Sequence, residues 1–259
     1  MKKMKNKTCF ILDMDGTFYL GEKLLEGALE AFNYLRSKGI RVVFFTNNSS
    51  KTSREYVEKL SRMGCRVTED EVITSGEVTL GHLREHHPNK RVFLLGTPKL
   101  EAYLREEGIN LVSHTPDIVL AAFDTTLVYD RLSDACRYIR EGSLFLATHP
   151  DINCPVEGGF IPDCGSICAC ITASTGVEPK YLGKPHRETV EYLEKKLGTS
   201  REHMVLAGDR LYTEIAMGYH HGITTILVLS GETHRKDLEV SSVQPDIVLP
   251  SLRDVLELL

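Results

Sequence analysis

Ile11-Leu12-Asp13-Met14-Asp15-Gly16-Thr17 closes the apolar run Cys9-Phe10-Ile11-Leu12, which reads as a buried strand. Two acids separated by one residue thus stand where a core strand ends and a glycine turns the chain. A strand end of this kind aims both carboxylates at one small volume, where like charges repel. A divalent cation held by hard oxygen ligands relieves such repulsion. Asp also favours turns, so this stretch alone leaves the ordinary turn open.

Three further segments share the pattern. Val42-Val43-Phe44-Phe45 stops abruptly in Thr46-Asn47-Asn48-Ser49-Ser50. There Thr46 and Asn47 offer a hydroxyl and an amide suited to phosphoryl oxygens, although Asn and Ser also make loops and caps, with Ser50 or Thr52 capping the helix that follows. Gly183-Lys184-Pro185 restricts a lysine beside a proline; a plain surface lysine is the alternative. Met204-Val205-Leu206-Ala207 runs into Gly208-Asp209, and Glu214 follows at the start of an expected helix. A turn Asp and a helix N-terminal acid favoured by the dipole would look the same.

In this order, each beyond an apolar strand, the four segments resemble the haloacid dehalogenase-like (HAD) hydrolase superfamily. The resemblance narrows to the NagD-like phosphatase branch through Thr46-Asn47-Asn48-Ser49, Gly183-Lys184-Pro185 and Gly208-Asp209-Arg210 with Thr213. It implies an α/β fold, a Rossmann-like core with a parallel sheet and an inserted α/β cap. It also implies Mg²⁺-dependent hydrolysis of small phosphate monoesters (a sugar phosphate, nucleotide or similar metabolite) through an aspartyl-phosphate. Asp13 would be the nucleophile, a carboxylate that needs no base to activate it, and Asp15 the general acid and base. Thr46, Asn47 and Lys184 would bind the phosphoryl group. Mg²⁺ would be held by Asp13, the backbone carbonyl of Asp15, and Asp209. Glu214 stands where the branch often has Asp, and its longer arm suits the orientation of metal-bound water. An intact Asp15 argues against dehalogenation, which needs no leaving-group proton. The alternative is a non-catalytic sensor that binds a phosphorylated metabolite.

Substrate choice is expected from the long Pro- and Gly-containing loop that runs from Thr148 to Asp163. His149 in that loop, where relatives often carry Asn, and Asn48 beside the phosphate-binding pair are the candidate substrate contacts. The resemblance also implies a homodimer through the cap.

The 259 residues suffice for one large or two modest domains, and a 42% hydrophobic content allows a full core. A net charge of −5 gives no basic footprint for nucleic acid. The basic start Met1-Lys2-Lys3-Met4-Lys5-Asn6-Lys7 is not followed by a signal-peptide apolar region, and no stretch is suited to span a membrane; a cytoplasmic protein is expected. Seven cysteines, an odd number, read as reduced thiols. In a helix from Ser166, Cys164 and Cys168 would share a face and Cys170 would point away. His82 and His86, at i and i+4, read as a solvated helix face.

Apolar strands alternate with amphipathic segments, which predicts parallel α/β architecture. Strands are predicted at 8–12, 41–45, 72–74, 91–95, 118–123, 144–147, 204–207, 224–228 and 247–249. Helices are predicted at 28–37, 53–63, 132–141, 189–197 and 251–258. The long interval between Asn48 and Lys184 has its own alternation. Residues 80–178 are therefore expected as the inserted cap, within a core of 1–79 and 179–259, with junctions near Gly76–Gly81 and Val177–Gly183.

Overall fold

The computed structural model describes residues 4–156 and 158–258. Met1–Lys3 of the basic start, Glu157 of the long loop, and Leu259 lie outside the described residues. Among the described residues no helix is long and apolar enough to cross a membrane. By its internal contacts the chain divides into two compact units. The first holds Met1–Thr46, Tyr56–Ile73 and Lys184–Leu259, and the second holds Asn47–Glu55 and Thr74–Gly183. These limits fall at Thr46, Glu55, Ile73 and Gly183, whereas the sequence reading drew them at 80 and 178.

The first unit is built on a six-stranded sheet. Its order is Ile247–Leu249, Thr224–Val228, Met204–Gly208, Cys9–Leu12, Arg41–Thr46 and Val72–Thr74. Cys9–Leu12 pairs in parallel with Met204–Gly208 on one side and with Arg41–Thr46 on the other. All four residues of Cys9–Leu12 are buried, as a parallel strand covered on both faces requires. Alternate residues Phe10, Leu12, Val42, Phe44, Val205 and Ala207 point into one cluster with Phe18, Phe32 and Leu35. Phe18 and Phe44 meet edge-on, with ring centroids 4.7 Å apart. The chain builds outward from Cys9–Leu12 in one direction, then returns at Met204–Gly208 and builds in the other. A reversal of strand order of this kind opens a crevice at the carboxyl ends of the strands.

The second unit holds a four-stranded parallel sheet ordered Lys180–Tyr181, Leu144–Ala147, Ile118–Ala121, Val92–Leu95. Its apolar strands are buried on both faces. Phe93, Leu95, Val119, Ala121, Phe145 and Ala147 enter one cluster, while Val92, Leu94, Ile118, Leu120 and Leu146 enter another. That period of two explains why these runs show no polar alternation in the sequence. Asn153–Val156 and Gly159–Pro162 form an antiparallel hairpin within the long loop.

Several expectations are corrected. The stretch 76–81, read as a junction, lies inside the helix Ser75–His86. Two glycines and a Thr mask that helix in the sequence, but Thr74 caps it by accepting from the Glu77 amide at 3.2 Å. Helices Pro98–Glu106 and Cys164–Thr175 were likewise not assigned from the sequence. The final segment is a 3₁₀ helix, Leu252–Glu257, rather than an α-helix. His82 is buried beside Leu80 and Leu83, not solvated, whereas His86 is exposed. Cys164 and Cys168 are buried and Cys170 exposed on their helix, and all seven thiols are free.

Candidate active site

In the first unit, the sequence motifs stand at adjacent strand ends. The amide of Asp13 donates to the Ala207 carbonyl at 2.8 Å, which extends the ladder one step beyond Leu12 and fixes the Asp13 backbone. Thr46 closes Arg41–Thr46 and is buried. Asp209 follows Met204–Gly208, and a π-helical turn, Leu211–Ile215, then carries Glu214. Wide turns of this sort recur at functional sites. Gly16 has φ +83°, and a Cβ on it would lie 2.3 Å from Asp209 Oδ2. The glycine of the DxDGT pattern is thus required both by its backbone conformation and by the close approach of Asp209.

Lys184 is 1% exposed, which excludes the surface lysine. Its Nζ donates to Asp13 Oδ1 at 2.8 Å, to the Phe45 carbonyl at 3.0 Å, and to Glu214 Oε1. The other Glu214 oxygen accepts from Thr213 Oγ1 at 2.6 Å. Asp209 accepts from Thr17 Oγ1 at 3.4 Å and from the Glu232 amide at 2.7 Å. Asp15 is half-buried. Tyr19 lies close enough that burial and then the Asp15 carboxylate raise its phenol pKa.

The electrostatics follow from burial and from the surplus of acid. Burial pushes the Asp13 carboxyl well above the usual range, and repulsion from Glu214 and Asp209 adds to this against the pull of Lys184. Asp209 is pushed up to about 6, chiefly by burial, in spite of the hydrogen bond from the Glu232 amide. Burial would also raise Glu214, but the Lys184 ammonium outweighs it and holds Glu214 below its ordinary value. Burial would lower Lys184, yet Asp13 and Glu214 together hold it above its ordinary value.

The donor set fits a divalent metal. Asp13 and Asp209 are hard oxygen donors, both buried, and burial together with the neighbouring Glu214 carboxylate pushes both toward protonation. Glu214 has its two oxygens engaged by Lys184 and Thr213.

The remaining sequence candidates belong to the second unit. Asn47 is buried; its Nδ2 donates to Asp151 Oδ1 at 2.9 Å and its carbonyl accepts from Ser75 Oγ. Asn48 Oδ1 accepts from the Ser50 amide and hydroxyl at 2.9 and 2.7 Å, forming an Asx turn. His149 is fully buried, with Nδ1 3.8 Å from Asp151 Oδ2 and Nε2 3.5 Å from Asp163 Oδ1. Sequence reasoning missed Thr17, Asp151 and Asp163 as partners of the site residues. Thr17 carried a signal as the last residue of the DxDGT pattern. Asp151 and Asp163 carried none beyond being acids in a loop whose other residues are mostly uncharged.

Comparison with known proteins bears on this arrangement. A family model described as haloacid dehalogenase-like hydrolase matches residues 10–110, and a HAD-hydrolase-like model matches 181–255. An acid sugar phosphatase of Staphylococcus epidermidis is 33% identical over 243 residues, covering 93% of this chain and 94% of the relative. A 5′-nucleotidase of Bacillus subtilis is 31% identical over 251 residues, covering 97% and 98%. The crystal structure of a 4-nitrophenylphosphatase from Thermotoga maritima superposes with a TM-score of 0.95 at 46% identity, covering 98% of both chains.

Proposed function

We propose, on the premise that this chain belongs to the NagD-like haloacid dehalogenase-like hydrolases and is a phosphoric monoester hydrolase, that it cleaves small phosphorylated metabolites through an aspartyl-phosphate with Mg²⁺ as cofactor. The observation that carries the mechanism is the buried Lys184 bridging Asp13 and Glu214, with Asp13 at a strand end and Asp209 at the next.

Asp13 Oδ attacks phosphorus and forms the acyl phosphate while the ester oxygen departs. Asp15, two residues on and half-buried, gives its proton to that oxygen, so that the product leaves as an alcohol. Water then attacks phosphorus, Asp15 takes its proton back from that water, and the bond to Asp13 breaks to release phosphate and restore the carboxylate. Lys184 offsets charge on Asp13 and the phosphoryl oxygens, and Glu214 holds the Lys184 ammonium in place. The Thr46 hydroxyl and the Asn47 amide donate to the transferring oxygens. Asp13, Asp209 and the backbone carbonyl of Asp15 would hold Mg²⁺. When bound, the ion offsets repulsion between Asp13 and a dianionic ester.

Acid sugar phosphatase and 5′-nucleotidase relatives support a sugar phosphate or nucleotide as substrate. In this proposal the second unit is the cap and its Thr148–Asp163 loop reads the leaving group. The test is phosphate release from an aryl phosphate and a panel of sugar phosphates and nucleotides, with Mg²⁺ or with chelator, beside Asp13→Asn. Release that needs Mg²⁺ and vanishes in Asp13→Asn with an unchanged circular dichroism spectrum is expected. Turnover retained by that variant would sink the aspartyl-phosphate.

A further inference from the structure

Asn47 can donate to a phosphoryl oxygen only if its amide is turned the right way and held there. An Asn side chain presents nitrogen or oxygen with equal ease, and the broad torsion about its terminal bond fixes neither. We propose that Asp151 is a positioning residue that sets the Asn47 amide. The inference rests on the phosphate-binding role given to Asn47 above.

Asp151 Oδ1 accepts from Asn47 Nδ2 at 2.9 Å, across 104 residues of sequence. A carboxylate only accepts, so it selects the nitrogen face of the amide and commits one N–H. The second N–H, in the same plane, is then aimed by the first. Asn47 is 5% exposed and Asp151 6%, so the charge-assisted bond lies where water screens it least.

Behind Asp151 lie two further buried polar side chains, His149 and Asp163. His149 Nδ1 faces Asp151 Oδ2 and His149 Nε2 faces Asp163 Oδ1, at 3.8 and 3.5 Å. Asp163 Oδ1 accepts from the Cys164 amide at 2.6 Å and caps the helix Cys164–Thr175. The series Asn47–Asp151–His149–Asp163 thus ends on a helix terminus. It is also walled in: a Cβ at Gly183 would lie 2.8 Å from both Asn47 Oδ1 and His149 Cβ. The same His and two Asp side chains offer ligand atoms within 4.8 Å of one another. A metal ion would take one ring nitrogen, however, and here each ring nitrogen faces a different carboxylate, an arrangement that suits mutual orientation of side chains.

The test is a double-mutant cycle on Asn47→Ala and Asp151→Ala, read as kcat/KM for an aryl phosphate in saturating Mg²⁺, with thermal melts alongside. Each single variant is expected to lose roughly ten- to a hundredfold, and the double variant no more than Asn47→Ala alone. Asp151→Asn, whose carbonyl still accepts from Asn47, is expected to recover part of the loss, and it replaces Asp151→Ala in the cycle should that variant not fold. Losses that multiply in the double variant overturn the proposal, because Asp151 then acts independently of Asn47. Full activity in Asp151→Ala with reduced activity in Asn47→Ala overturns the positioning role alone. Full activity in Asn47→Ala overturns the phosphate-binding role as well.

Discussion

Replacing Lys184 with Met removes the buried cation and keeps an unbranched side chain one atom shorter. In the folded protein the Lys184 ammonium contacts two buried carboxylates and a backbone carbonyl. Without it Glu214 and Asp13 remain buried with no ammonium between them. Breaking a buried pair from one side costs about 3–5 kcal/mol, because the remaining charge is uncompensated. For a chain of this size that corresponds to a fall in Tm of roughly 6–20 °C. The pH dependence has a definite sign. Glu214 titrates below its ordinary 4.5 in the folded protein, so its contribution is full above 4.5 and is lost as pH falls through the folded value. Lys184 titrates above its ordinary 10.5, so its contribution is full below 10.5 and is lost as pH rises through the folded value. The deficit of Lys184→Met is therefore largest between these limits and narrows in acid, because burial raises the stranded carboxylates and they protonate as pH falls toward 4.5. Urea denaturation of both proteins across this range, in chelator so that no added ion replaces the lost charge, measures the difference. A second variant, Lys184→Met with Glu214→Leu, is expected to recover part of it. A deficit under about 1 kcal/mol at neutral pH, or one that does not change with pH, would refute the assignment of Lys184 as the charged counter-ion of this cluster.

Gly16→Ala forces a left-handed backbone position and drives a Cβ against Asp209; a stability loss of about 1–3 kcal/mol is expected, together with a higher Mg²⁺ concentration for half-maximal activity in a phosphate-release titration. An unchanged Mg²⁺ requirement would separate Gly16 from the metal site. Phe44→Ala removes a fully buried ring that packs on Phe18 and Phe32 at 4.7 and 5.5 Å, and denaturant melts should show a loss of about 3–5 kcal/mol. A loss below about 1 kcal/mol would mean that this aromatic cluster does not anchor the sheet of the first unit.

The core strands were legible because parallel strands buried on both faces leave short apolar runs, and each run here ends abruptly at a polar or glycine residue. Asp13, Thr46 and Asp209 were legible for the same reason, since the end of a strand is a local feature. The helix Ser75–His86 was not: its glycines and Thr lower local helix preference, and packing of Val78, Leu80 and Leu83 overrides it. His82 misled through its charged neighbours, because one buried face of a helix can run beside an exposed one.

Sequence by itself determined the fold class and the family, because hydrophobic periodicity and four short motifs are properties of neighbouring residues. Only the tertiary structure decided which of those residues meet. Lys184 reaches Asp13 across 171 residues and Asn47 reaches Asp151 across 104. Strand order and side-chain packing set those distances, and neither is encoded in any local stretch. The burial that raises Asp13 and Asp209 and turns Lys184 into a fixed counter-ion is likewise a property of the assembled core, in which carboxylates and ammonium exchange water for one another.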